Sequence, residues 1–319
     1  MGPLLEYNAT IVGRTDLTDT LSTFLIQLDQ PPRKHPWFTA GQYCVIGLDN
    51  SERPDLGSVR RAMSIASPPE AEGPLEFYIR YVVRATSQNP LTHLLWKRAT
   101  GDRMYVRPVA AGVFTIDDTI GADDPRIRVM VAAGTGVAPF ISMIRSEVRR
   151  NPLIDLSKWV LLHGASYPTE LGYRHELLEL SVANRLKYWG TVSRPSVGHQ
   201  WAGDVGRVES FFAPDRLPDL EHRLGLAAND LTPDRAVIFA CGATGTIGAT
   251  LTLLVDRGFV PHAPPIREAL GVPPGARDSM FYELYDPTPV IDIDDPEVIE
   301  PLRVRMRAAL ANQWSAGGR

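Results

Sequence analysis

Val129-Met130-Val131-Ala132-Ala133-Gly134-Thr135-Gly136-Val137-Ala138-Pro139-Phe140-Ile141 is the stretch whose reading decides the fold. An apolar strand runs into a glycine-rich turn, and the turn runs into a helix with proline in its first turn. Such a construction brings backbone N–H groups and the positive end of a helix up to a phosphate-bearing ligand. By itself, a short glycine loop after a strand is equally compatible with a plain tight turn. The flanking sequence has to say what the loop is for.

Downstream of Asp123-Asp124-Pro125, apolar strands are expected at 126–133, 159–164, 186–193 and 236–241. Helical stretches fall between and after them, at 138–149, 173–180, 205–212 and 246–257. This alternation predicts a parallel sheet with helices on its faces, which binds ligands at the carboxyl ends of its strands. Gly134, Gly164, Ser193 and Gly242 each follow a predicted strand and so collect along that edge. Upstream, residues 4–118 have the opposite texture. Short β-branched and aromatic runs at 20–28, 43–48, 75–83 and 102–106 sit between Gly, Pro and Asp turns, a spacing that predicts a nearly closed antiparallel barrel. A short helix is expected within 89–98. Past residue 263 the chain is punctuated by proline. It then carries the aromatic run Phe281–Tyr285 and a terminal helix at 298–311, with Val298, Leu302, Met306 and Leu310 on one face.

Composition limits the function. The chain has 319 residues, 44% of them hydrophobic and 22% charged, with a formal net charge of −4. That length suits about two domains, and that charge favours neither nucleic acid nor an anionic membrane. The two cysteines, Cys44 and Cys241, are too few for an iron–sulfur cluster or a cysteine-only zinc site. The seven histidines do not pair at metal-ligand spacing, so no metal is expected. No apolar run approaches the length of a membrane span. The first ten residues lack a charged leader followed by an apolar stretch, and the expectation is a cytoplasmic protein without disulfides. There is no Gly-x-Ser-x-Gly elbow and no P-loop ending.

Inside the β half, Arg60-Arg61-Ala62-Met63-Ser64 places a cation and a hydroxyl three residues apart on an extended run, a pattern that suits pyrophosphate and equally suits a solvated basic strand end. Taken with Gly134–Pro139, this segment resembles the ferredoxin–NADP reductase family of bacterial type over residues 5–286. The resemblance implies a six-stranded antiparallel FAD barrel at 1–122, a Rossmann-like NADP domain at 123–265, and a tail at 266–319 that carries a flavin-covering aromatic segment and an extension. The family holds FAD with Arg-x-Tyr-Ser, and Arg61 and Ser64 match. Met63 stands where the family has the flavin-stacking Tyr; a thioether still packs on an aromatic ring. Tyr78, Ile79 and Arg80 match the strand beside the flavin edge, and Leu91 and Thr92 the helix over the pyrophosphate. Asn89 replaces a common Gly there.

In the second half, Gly134, Thr135 and Gly136 match the nucleotide pyrophosphate loop, and Cys241 and Gly242 the segment beside the nicotinamide. Ser193 and Arg194 fall where the ribose 2′ position is read, and a hydroxyl with a guanidinium suits a 2′-phosphate. Arg207 matches a second basic residue there, whereas Ser166 replaces a third. Tyr285 matches the terminal aromatic gate, with Glu283 near flavin N5 and Tyr282 as the other choice. The implied catalytic residues are therefore Cys241, Glu283 and Tyr285. The implied activity is hydride transfer from NADPH to FAD, followed by single-electron transfer to ferredoxin or flavodoxin, with Arg60, Arg84, Lys97 and Arg98 as basic contacts. Two alternatives stay open: an NAD(P)H reductase that serves an oxygenase or free flavin, and a flavin-binding sensor without turnover.

Overall fold

The computed structural model describes residues 4–195, 201–285 and 288–317, with side chains to residue 312. Parts of the predicted tail, residues 286–287 and 318–319, lie outside the described residues. The strands are β1 (Ala9–Thr18), β2 (Leu21–Leu28), β3 (Tyr43–Asp49), β4 (Ser58–Ser64), β5 (Leu75–Arg80), β6 (Arg103–Val106), β7 (Ile127–Ala133), β8 (Trp159–Ala165), β9 (Lys187–Val192), β10 (Asp204–Val205), β11 (Ala236–Gly242) and β12 (Met280–Leu284). The helices are α1 (Leu91–Leu95), α2 (Ile116–Thr119), α3 (Ala138–Arg150), α4 (Arg174–Ala183), α5 (Leu217–Leu224), α6 (Thr244–Leu254), α7 (Pro264–Ala269) and α8 (Pro296–Gly317). The chain divides into two compact units. Residues 1–122 with 138–154 form the first, and 123–137 with 155–319 the second.

In the first unit six antiparallel strands run in the order β4-β3-β6-β1-β2-β5. Alternation along β2 turns Phe24, Ile26 and Leu28 inward, where they meet Ile11, Cys44, Ile46, Phe77 and Met104 in one core. Where the end strands β4 and β5 meet, pairing is reduced to an isolated bridge between Ile65 and Phe77, with the Ala66 N–H donating to the Glu76 carbonyl at 2.8 Å, so the barrel keeps a seam there. Helix α3 belongs to this unit. Its Ser142 hydroxyl donates to the Ser67 carbonyl at 2.8 Å, and Arg145 donates to the Glu76 carboxylate at 2.9 Å.

In the second unit the sheet order is β10-β9-β8-β7-β11-β12, and each of these neighbours is parallel. β7, β8 and β11 are buried along nearly their whole length, which explains why they read as continuous apolar runs rather than alternating ones. Val129, Val131, Val160, Leu162, Ile238 and Ala240 share a core with residues of α5, α6 and α8. Asp124, just before β7, is fully enclosed. Burial works against its charge, but the Arg126 fork, the Arg126 N–H and Arg277 outweigh it and hold the carboxyl at about 2.

Several expectations need correcting. The helix expected at 205–212 is instead the two-residue strand β10 followed by a 3₁₀ turn, Val208–Phe212. Gly206 breaks it with φ of 126°, and the Thr191 hydroxyl donates to the Gly206 carbonyl at 2.9 Å. The aromatic run Phe281–Tyr285, for which no secondary structure was expected, falls largely in the strand Met280–Leu284, which pairs with β11. Helix α8 buries Ile299, Leu302, Met306 and Leu310, while Val298 is 39% exposed. α5 was not anticipated, although Leu217, Leu220 and Leu224 at i, i+3 and i+7, with Gly225 closing the helix, form a helical signature.

Candidate functional site: two nucleotide cradles

In the first unit, the β4–β5 seam carries the predicted flavin residues. Arg61 is exposed on β4, and its Nη1 donates to the carbonyl of its neighbour Arg60. Ser64 is buried at the strand end, and Met63 is half-buried against the barrel core. On β5 the side chains of Tyr78 and Ile79 are buried, so what they offer along the seam is main chain. The segment after β5 is pinned to α1. The Val82 N–H donates to the Thr92 hydroxyl at 3.2 Å, and His93 Nε2 lies 2.8 Å from the Val82 carbonyl. Asn89 is not in the left-handed region that the glycine of the family would suit. It is retained by side-chain bonding instead: its Oδ1 accepts from Asn50 at 2.9 Å and its Nδ2 donates to the Leu56 carbonyl at 3.3 Å. A seam with main-chain groups, an exposed guanidinium and a buried hydroxyl fits a flat heterocycle with a pyrophosphate tail.

In the second unit, the ends of β7 and β11 are pressed backbone to backbone. A Cβ on Gly136 would lie 2.1 Å from the Cys241 carbonyl oxygen, and one on Gly242 would lie 2.5 Å from the Ala133 carbonyl oxygen. Gly134 opens the turn with φ of 56°, and Gly134–Val137 forms one 3₁₀ turn before α3. Gly136 and Val137 are buried while Gly134 and Thr135 stay partly exposed at the sheet edge, a glycine-containing bend before a helix of the kind that lets a pyrophosphate approach backbone.

Cys241 sits between Ala132 of β7 and Glu283 of β12 in the register of the sheet. Burial pushes its thiol pKa up and the Glu283 charge adds to this, against smaller opposing effects from the Tyr285 hydroxyl and the Gly242 N–H. The side chain is therefore a neutral thiol at neutral pH, suited to packing on a ring edge and unsuited to nucleophilic attack. Tyr285 is 46% exposed, and its hydroxyl donates to the Thr135 carbonyl at 3.2 Å. Cys241, Glu283, Tyr285 and the glycine turn are thus brought together. Tyr282 points elsewhere: it packs against the α/β core and edge-on to His262 at 4.7 Å, and burial pushes its phenol up to about 12.

At the other end of the edge, Ser193 and Arg194 continue past β9 as exposed residues. Their N–H groups donate to the carbonyls of Ala165 and Ser166 at 3.0 and 2.8 Å. Ser166 N–H donates to the buried Glu170 carboxylate at 3.1 Å. Arg207 follows β10, and its Nε pairs with Glu209 Oε1 at 2.5 Å. Two further residues bear on this edge although no sequence motif singles them out. His163 lies fully buried in β8, with Nδ1 3.5 Å from the Tyr188 hydroxyl and the Gly134 carbonyl close by; burial lowers its pKa to about 4, with that carbonyl opposing. Glu209 is nearly buried two residues beyond Arg207, and that adjacency was the available signal. Among the described residues no group of acids, histidines and cysteines could hold a metal ion, and no helix is long and apolar enough to cross a membrane.

Residues 130–251 match the family model described as the oxidoreductase NAD-binding domain. A flavodoxin/ferredoxin–NADP reductase of Rhodobacter capsulatus is 30% identical over 245 residues, 73% of this chain and 80% of that protein. The phenol hydroxylase P5 protein of Acinetobacter pittii is 29% identical over 65% of this chain and 53% of its own. Among solved structures, a ferredoxin NADP+ reductase from Neisseria gonorrhoeae, crystallised with FAD and NADP, superposes with a TM-score of 0.67 at 22% identity, covering 88% of this chain and all of that one. These matches make the chain, with its two units, an oxidoreductase. The chain belongs to the ferredoxin/flavodoxin–NADP reductase family.

Proposed function

We propose that this protein is an NADPH-dependent reductase that holds FAD along the β4–β5 seam and NADP(H) along the carboxyl edge of the parallel sheet, and that serves ferredoxin or flavodoxin. The observation that carries this reading is the convergence of Gly134–Gly136, Cys241, Ser193, Arg194 and Arg207 on that one edge. FAD, when bound, supplies acceptance of two electrons and their release one at a time. Arg61 and Ser64 would neutralise and bond its pyrophosphate, Tyr78, Ile79 and Arg80 would meet the ring with main chain, Leu91 and Thr92 would close over the tail, and Met63 would pack where relatives use a ring. The glycine turn would take the pyrophosphate of the nicotinamide nucleotide. Ser193, Arg194 and Arg207 would take its 2′-phosphate. Cys241, Gly242, Glu283 and Tyr285 would frame the nicotinamide end, with Tyr285 as the movable ring. The carrier is expected to be acidic; Arg60 and Arg84 are exposed and available to it, whereas Lys97 is engaged by Glu52.

Anaerobic stopped-flow mixing of the purified protein with NADPH and with NADH tests this directly. The expected result is rapid bleaching of the flavin absorbance. Bound flavin that neither nucleotide reduces would make the protein a sensor instead. A screen of ferredoxins, flavodoxins, oxygenase components and free flavin then assigns the acceptor. The similarity to a phenol hydroxylase component is the reason to include oxygenases.

A further inference from the structure

Arg207 is matched to the 2′-phosphate, yet it is not a free cation. Its Nε is held 2.5 Å from Glu209 Oε1. The Arg207 side chain is 64% exposed while that of Glu209 is only 10% exposed, so the acid lies beneath and the guanidinium is the accessible partner. The second carboxylate oxygen, Oε2, is buried without any hydrogen-bond partner. Arg207 Nη2 lies 3.9 Å from the position of a Cβ on Gly245, which places the head of the side chain at the first turn of α6.

Two consequences follow from this geometry. A guanidinium receives an oxyanion best through two parallel N–H donors, and the side-on pair includes Nε. Glu209 occupies that donor. A phosphate that displaced Glu209 would leave a buried carboxylate with neither oxygen satisfied, which is costlier than leaving the pair intact. A phosphate that bound without displacing it would sit near the negative charge of Glu209, with the Arg207 cation shared between the two anions. Either route discounts what Arg207 can contribute.

We propose that Glu209 is a specificity-determining residue: an internal competitor for Arg207 that lowers the advantage of NADPH over NADH. This rests on the reading of Arg207 as a 2′-phosphate ligand. Glu209 touches neither nucleotide nor flavin in this scheme and acts through Arg207 alone.

The test is equilibrium titration of the flavin-loaded full chain with adenosine 2′,5′-bisphosphate and with 5′-AMP, which differ in the 2′-phosphate. Glu209→Gln keeps the shape and removes the charge. It should tighten the bisphosphate by about tenfold and leave 5′-AMP within about twofold, and the NADPH/NADH ratio of kcat/KM should rise in step. Glu209→Asp withdraws the carboxylate by one methylene and should move the bisphosphate the same way by a smaller factor, so the idea stays testable if the glutamine variant fails to fold. Unchanged or weaker bisphosphate binding in the glutamine variant overturns the proposal, because Glu209 would then be a support that aims Arg207. Arg207→Gln distinguishes a failure of the Glu209 role from a failure of the Arg207 placement. If it weakens the bisphosphate while Glu209→Gln is silent, only the proposal falls. If it leaves the bisphosphate unaffected, the placement of Arg207 falls and the proposal with it.

Discussion

At position 194 a single guanidinium stands exposed just past β9, on backbone tied to the end of β8. In the proposed 2′-phosphate site, replacing it with a carboxylate would exchange a charge-assisted bond for repulsion. Arg194→Asp should therefore raise KM for NADPH by about tenfold or more and move KM for NADH far less. Steady-state kinetics with both nucleotides check this; equal changes would remove Arg194 from the phosphate site. A second residue-scale pair concerns close approach. In Gly136→Ala the new Cβ meets the Cys241 carbonyl oxygen at 2.1 Å, and both atoms belong to backbone that cannot rotate away. The expected cost is about 3 kcal/mol or more. Gly245→Ala, inside α6, meets nothing nearer than the flexible Arg207 head at 3.9 Å and should stabilise by about 0.5–1 kcal/mol. Urea midpoints of the two variants should move in opposite directions.

Elements differ in how much of their role is written locally. β7, β8 and β11 were readable because a strand buried on both faces must be apolar throughout. On α8 the face expected from the sequence differs from the buried one only at its first member. Val298, Leu302, Met306 and Leu310 and the observed Ile299, Leu302, Met306 and Leu310 share three members, and only packing against Val255 and its neighbours in the core selects between Val298 and Ile299. Arg305 adds a fork onto Asp256 and a bond to the Thr252 carbonyl, which seats the helix. Leu302→Ala and Met306→Ala should each cost about 2–5 kcal/mol, whereas Val298→Ala should stay within about 0.5 kcal/mol. Thermal melts of the three variants check the phase; a large loss in Val298→Ala would restore the original face. β12 escaped recognition because a five-residue strand followed by irregular chain has little local signature, and its place was decided by β11 offering a free edge.

For the whole molecule, acid sensitivity follows from two buried groups. His163 is kept neutral by burial, with a pKa near 4 against an ordinary value of about 6.5. Above pH 6.5 neither the folded nor the unfolded chain protonates it. As the pH falls from 6.5 towards 4 the unfolded chain takes up a proton that the fold refuses, so stability is lost by up to about 3 kcal/mol. Asp124, held at about 2, adds a second loss lower down, as the pH falls from 3.8 to 2. Urea midpoints between pH 7.5 and 4.5 should fall, and His163→Gln should flatten that fall; an identical slope in the variant would assign the loss to other groups. The thiols should not contribute, since burial raises both Cys44 and Cys241 and a thiol is already protonated below pH 7.5 in the folded and the unfolded chain alike.

By itself, the sequence determined the two kinds of sheet, the glycine turn, the basic pair Arg60 and Arg61, and the family. Each of these is carried by residues near one another in the chain, where hydrophobic period and turn chemistry act. Only the tertiary structure decided what surrounds each functional group. Cys241 acquires Ala132 on one side and Glu283 on the other through strand pairing across more than 100 and about 40 residues of chain, an order that parallel ladders impose. Arg207 acquires Glu209 as a partner because Gly206 turns the chain where a helix was expected and the acid then folds under it. A basic residue in a sequence is a charge, and whether that charge is free to meet a phosphate depends on which side chain the fold has placed against it.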